Sequence, residues 1–169
     1  MIATAQQVER GGADFLVICT NTMHMMADEV QAKIGIPILH IADATAEKIK
    51  TQGLKTIGLL GTNFTMSGDF YKGRLEKMHG LEVRIPNEDQ REIIHRVIYD
   101  ELVLGVINPT SKERYIEIMD DLVSKGAQGI ILGCTEIGLL VNDKDSSVPL
   151  FDTTFIHAVA AVEYAIAEG

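Results

Sequence analysis

Gly129-Ile130-Ile131-Leu132-Gly133-Cys134-Thr135-Glu136 is a short unbroken apolar run that ends on a cysteine and two polar residues. A run this short, without alternation and bounded by glycine, is the pattern of a strand buried on both faces of a parallel sheet. The same pattern stands at Phe15-Leu16-Val17-Ile18-Cys19-Thr20-Asn21-Thr22. Cys19 and Cys134 are the only cysteines of the chain and lie 115 residues apart. At that offset Val8 meets Val123, Arg10 meets Lys125, Gly11 meets Gly126 and Thr20 meets Thr135. The register indicates a duplicated strand–loop–helix unit, each copy presenting one thiol. Ligands of open parallel sheets bind beyond the carboxyl ends of the strands, where both thiols fall.

Working outward, helical and strand patterns alternate along the chain. Helices are expected at Ala3 to Arg10, Met23 to Lys33, Ala44 to Lys50, Gly68 to Met78, Glu88 to Leu102, Ser111 to Ser124 and Thr153 to Ala167. Strands are expected at Phe15 to Ile18, Ile38 to Ile41, Thr56 to Leu60, Leu81 to Ile85, Gly129 to Gly133 and Val148 to Phe151. Such alternation defines an α/β protein with parallel sheets flanked by helices. The pattern restarts near Gln52-Gly53, which divides the chain into two pseudo-symmetric lobes. Residues 1–52 with 148–169 form lobe one and 53–147 lobe two, with no long linker between them.

The 169 residues are enough for a substantial core, and 46% hydrophobic with 23% charged is a globular composition. A formal charge of −9 supplies no basic field for phosphates, so no nucleic-acid partner is expected. No apolar run approaches the roughly 18 residues of a spanning helix, so no membrane partner is expected either. Met1 to Gln6 lacks the basic start of a secretory signal, and two distant cysteines are too few for a disulfide framework. Reduced thiols and a cytoplasmic location are the expectation.

Two equivalent thiols facing one substrate from opposite sides make a two-base proton-transfer site. A strand-to-helix turn offers free backbone N–H groups that bind a carboxylate, and its positive end lowers a thiol pKa. The competing reading of each cysteine is a small buried hydrophobe. Other cysteine chemistries fit poorly. No arginine follows either cysteine within Cys19 to Met26 or Cys134 to Val141, as a phosphatase loop requires. Cys19 and His24 are the only close Cys–His pair, so no metal site is expected. Nothing in the spacing pairs either cysteine with His24, His40 or His157 as a nucleophile and base. Asn21 and Thr22 fit both a helix cap and substrate contact, and Gly61-Thr62 with Thr65 fits both an anion-binding turn and a plain capped turn. Glu136 is costly in a buried turn unless a donor or a cation, such as a substrate ammonium, faces it. Asp152-Thr153-Thr154 reads as the cap of the last helix.

Cys19-Thr20-Asn21-Thr22-Met23-His24, Gly133-Cys134-Thr135-Glu136-Ile137 and the interposed Gly61-Thr62 resemble the aspartate/glutamate racemase superfamily. Glu136 after the second Cys-Thr, and Phe151-Asp152-Thr153-Thr154, resemble its aspartate racemase branch. The resemblance implies a pyridoxal-free amino-acid racemase with no cofactor, its substrate held between two lobes. Cys19 and Cys134 would be the catalytic pair, one removing the α-proton as thiolate and the other protonating the opposite face as thiol. Asn21, Thr22, Thr62, Thr65, Thr135 and Glu136 would be the substrate-binding set. The implied substrate is aspartate or glutamate, and the implied assembly a homodimer. Maleate isomerase, hydantoin racemase or an inactive carboxylate-binding relic are the alternatives.

Two departures accompany the resemblance. Members of this superfamily begin with a strand, a Gly-rich turn and a helix ahead of the position of Met1, which carries the expectation of a shortened start and an open sheet edge. They also place a lysine, which holds the substrate's second carboxylate, where Leu104 stands here. A neutral amino acid therefore remains open as the substrate.

Overall fold

The computed structural model describes residues 1–167, and they form two parallel sheets with helices packed around them. Helix α1 (Ile2–Arg10) ends at Gly11 and leads into β1 (Leu16–Val17). A 3-10 helix over Thr22–Met26 then runs into α2 (Ala27–Gln31), so the helix expected from Met23 to Lys33 begins with more tightly wound turns. Strand β2 (Ile38–Leu39) pairs in parallel with β1. Helix α3 (Ile41–Thr51) follows at once, its first turn capped by the His40 ring, which accepts from the Ala42 N–H.

The larger sheet begins with β3 (Thr56–Gly61). Beyond it α4 (Asn63–Ser67), a wide π turn at Asp69–Gly73 and α5 (Arg74–His79) replace the single helix expected from Gly68 to Met78. Gly68 has an extended ψ of 134° and breaks the run. Strand β4 (Glu82–Arg84) precedes α6 (Glu88–Asp100), which starts in a reciprocal Asn87–Gln90 capping box. A 3-10 turn at Leu102–Leu104 leads to α7 (Pro109–Ser124), with Asn108 as cap and proline at its first position. Strand β5 (Ile130–Gly133), short helix α8 (Ile137–Leu140), β6 (Leu150–Asp152) and α9 (Thr153–Ala167) complete the chain.

The sheet order is β4-β3-β5-β6, all parallel. Ile57, Leu59, Leu60, Ile130 and Ile131 are fully buried, as central strands covered on both faces require. The register places Gly61 opposite Gly133 at the carboxyl ends of β3 and β5. A Cβ on Gly133 would sit 2.7 Å from the Leu60 carbonyl oxygen and one on Gly61 3.0 Å from the Gly133 oxygen. The two glycines therefore let the strand ends, and the turns after them, approach closely.

The lobe boundary expected at residue 148 does not follow the hydrogen bonding. Strand β6 pairs with β5 in the larger sheet, because Leu150, Phe151 and Asp152 stand in register with Ile130, Ile131 and Leu132. Helix α9, in contrast, returns to pack on α3. The buried side chains also divide unevenly. Ala5, Val30 and Ile34 form a small cluster under β1 and β2, whereas Ile41, Ala42, Ala46 and Ile49 of α3 join the main core. Arg74 on α5 ties this arrangement with a bidentate pair of 2.7 Å contacts to Asp43 on α3, and His79 adds a third at 2.8 Å. Among the described residues no helix is long and apolar enough to cross a membrane.

Candidate active site

Both cysteines follow strands, and the repeat is visible in the fold. α1–β1–Cys19 and α7–β5–Cys134 share the order helix, glycine turn, strand and thiol. Their turns meet over a cleft of about 380 Å³ lined by Cys19, Asn21, Thr22, Thr62, Cys134, Thr135 and Glu136. Seven of the eight residues singled out in the sequence are thus brought together. Thr65 is not on the wall. It is fully buried behind Thr22 and Thr62, where the three hydroxyls form a triangle with O···O distances of 3.2 to 3.3 Å. The Thr65 N–H also donates to the Thr62 hydroxyl, which makes Thr62 the cap of α4. Cap and hydroxyl cluster are one arrangement.

Asn21 is 3% exposed and its amide orientation is fixed by its neighbours. Thr153 donates its hydroxyl to the Leu132 carbonyl at 2.9 Å, so only lone pairs face Asn21, whose Nδ2 donates to them at 3.0 Å. The Asn21 Oδ1 is left buried with no donor. A buried carbonyl without a partner is costly, and a bound N–H group would relieve it. Asp152, expected as a cap, accepts from the N–H groups of Thr154 and Phe155 at the start of α9.

The two thiols stand in different surroundings. Cys19 is exposed, and Cys134 is half-buried with its S–H donating to Glu136 Oε2 at 3.0 Å. The turn was expected to lower both thiol pKa values. For Cys134 the opposite holds: burial first, then the bond and charge of Glu136, push it from about 9 to about 12. The N–H groups of the turn act in the other direction and are outweighed. Cys134 therefore carries its proton at neutral pH. Glu136 is held below the usual carboxylate range. Burial raises it, but hydrogen bonds from Cys134 and Thr135 prevail.

His24 lies beneath the first thiol turn rather than in the cleft. Its Nδ1–H donates to the Thr20 carbonyl at 2.8 Å, and its Nε2 accepts the Ile41 N–H at 3.2 Å. The ring thereby fixes the Cys19 turn to the start of α3. It packs 4.4 Å from the His40 ring and 5.8 Å from that of His157, which bonds the Leu39 carbonyl. Both ring nitrogens of His24 are committed only in the neutral form, and burial accordingly lowers its pKa to about 4. Among the described residues no group of His, Cys, Asp and Glu is placed to hold a metal ion.

The sequence reading missed the apolar part of the wall, made of Ile98 and Tyr99 at the end of α6 and Val103 in the turn after it. Half-exposed Tyr99 and Val103 among core-facing neighbours were the available signal, but periodicity alone assigns them to a helix surface.

Residues 1–161 match the sequence pattern of the family described as Asp/Glu/Hydantoin racemase. The chain belongs to this racemase family. It is 54% identical to an Asp/Glu racemase structure from Yersinia pestis whose assignment is itself provisional, with a TM-score of 0.93 over 96% of this chain and 70% of that one. An aspartate racemase homologue from Pyrococcus horikoshii OT3 is 39% identical, with a TM-score of 0.87 over 97% of this chain and 72% of that one. The broad specificity amino-acid racemase RacX of Bacillus subtilis is 26% identical over 96% of this chain and 69% of its own length. The chain spans about half the length of the glutamate racemases it matches. The matched region includes both Cys-Thr turns that line the cleft.

Proposed function

We propose that the protein is a pyridoxal-independent amino-acid racemase in which Cys19 and Cys134 exchange the α-proton from opposite faces. The observation that carries this reading is the convergence of both thiol turns on one cleft with Cys134 protonated against Glu136. The substrate lies between residues 1–52, completed by α9, and the lobe built on the larger sheet.

The amino acid binds with its ammonium donating to the orphan Asn21 Oδ1 and its carboxylate accepting from the Thr22 and Thr62 hydroxyls. Cys19, as thiolate, takes the α-proton. The C–H electron pair passes into the carboxylate, whose growing charge the hydroxyls and turn N–H groups stabilise. The Cys134 S–H then delivers its proton to the other face, leaving the enantiomer and a Cys134 thiolate. No electrons are gained or lost. The proton gained by Cys19 is lost to solvent and the one given up by Cys134 is replaced from solvent, while Glu136 accepts the Cys134 S–H hydrogen bond that keeps this thiol protonated for the L-to-D direction.

Aspartate or glutamate as substrate rests on the family resemblance. The test of the racemase reading is conversion of L- to D-amino acids by the parent protein and by Cys19→Ser and Cys134→Ser. Each variant is expected to fold normally and to lose roughly 10²- to 10⁴-fold in kcat/KM. Parental racemisation by either variant would refute the two-thiol mechanism.

A further inference from the structure

Part of the cleft wall is apolar, where Ile98, Tyr99 and Val103 line it. Ile98 is 1% exposed, while Tyr99 and Val103 are each about half exposed. Tyr99 is located by its ring contact with His95 at 4.8 Å, and His95 in turn packs on Phe64 at 6.3 Å. The Asn63 N–H donates to His95 Nδ1 at 3.3 Å, which ties the wall to the residue next to Thr62. Val103 sits in a turn closed by Leu104 N–H and Val106 N–H to the Glu101 carbonyl, both at 3.0 Å. Gly105, at φ 75°, takes the left-handed conformation that ends this turn. The wall thus has a fixed distance from the groups that hold the α-carbon substituents.

We infer that Ile98, Tyr99 and Val103 form the side-chain subsite of this cleft and select amino acids with uncharged, mainly apolar side chains. The inference rests on the racemase reading above and narrows its substrate. Among the described residues lining the cleft there is no Lys, Arg or His, and the one carboxylate is that of Glu136. A second carboxylate on the substrate would lose water against the apolar wall and meet a like charge across the cleft. An alkyl or thioether side chain removes apolar area from water on both partners, a gain of roughly fourfold per methylene buried.

The test is kcat/KM for L-alanine, L-2-aminobutyrate, L-norvaline, L-methionine, L-aspartate and L-glutamate, measured as α-proton exchange in deuterium oxide. Values rising along the neutral series and exceeding those of the two acidic substrates at least tenfold support the subsite. Val103→Arg is expected to move the glutamate-to-methionine ratio at least tenfold toward glutamate. Val103→Thr is expected to lower the methionine-to-alanine ratio of kcat/KM several-fold, and serves if the arginine variant does not fold. A preference of the parent for aspartate or glutamate would overturn the subsite and leave racemisation standing. No exchange with any amino acid would overturn both.

Discussion

Cys134 differs from Cys19 in its burial and in a carboxylate beside it. Burial first, and then the hydrogen bond that Glu136 accepts from the Cys134 S–H, push that thiol up to about 12. In a Cys19→Ser background, which leaves Cys134 as the only thiol, Glu136→Gln is expected to lower this pKa and speed alkylation at pH 8. Unchanged alkylation would show that the carboxylate does not govern the thiol. In the otherwise unaltered protein, Glu136→Gln is expected to cost about 10²-fold in kcat/KM, read from initial rates of racemisation. The candidate site was legible to this depth because the two Cys-Thr turns announce themselves. Glu136 was also visible as a carboxylate needing a donor. The direction of the Cys134 shift was not, since it depends on desolvation competing with turn N–H groups, and sequence gives no measure of either. The hydroxyl triangle was half visible, but the burial of Thr65 behind its neighbours is a matter of packing.

At the scale of elements, the site depends on how closely two strand ends approach. Gly133→Ala places a methyl 2.7 Å from the Leu60 carbonyl oxygen and 3.3 Å from Thr65 Cγ2. Strain of this kind costs about 1–3 kcal/mol, and the melting midpoint is expected to fall by roughly 2–4 °C for each kcal/mol. Activity should fall further than stability, because the displaced atoms border Cys134 and the Thr62 turn. Thermal melts with kcat measured well below the midpoint separate the two effects. His24→Leu removes the ring that joins the Cys19 turn to α3 and leaves the Ile41 N–H buried without an acceptor, at a cost of about 1–3 kcal/mol. An equilibrium urea titration gives that value directly, and a loss below 0.5 kcal/mol would contradict the role assigned to the ring. Most strands and longer helices were legible, since Ile130 to Leu132 is an apolar run between two glycines and Ile57 to Leu60 runs into Gly61. The break at Gly68 and the 3-10 turns after Asn21 were not, because local periodicity continues through them while the backbone geometry does not.

The whole molecule carries a second kind of charge problem in its buried histidines. His24 and His40 are both lowered from 6.5, chiefly by burial, His24 to about 4. The unfolded chain takes up these protons near pH 6.5, and the folded protein resists doing so. Stability is therefore full above that value and is lost as pH falls from about 6.5 toward 4. Asp43, held down by Arg74 and His79 against the opposing effect of burial, adds a further loss at more acid pH. Urea midpoints measured from pH 8 to pH 4 are expected to decline across this window, and a flat profile would contradict the neutral, buried state of the rings. At this scale β6 pairs in the larger sheet while α9 packs on α3, and sequence order does not encode which edge a returning strand joins. The central claim is that two thiols act on opposite faces of one α-carbon. Its direct measurement is the early fate of the α-proton when the protein turns over an L-amino acid in deuterium oxide, followed separately in recovered substrate and in product. The two-thiol account predicts deuterium in the D-product while the remaining L-substrate keeps its proton; equal deuteration of both from the first turnovers would mean a single base and contradict it.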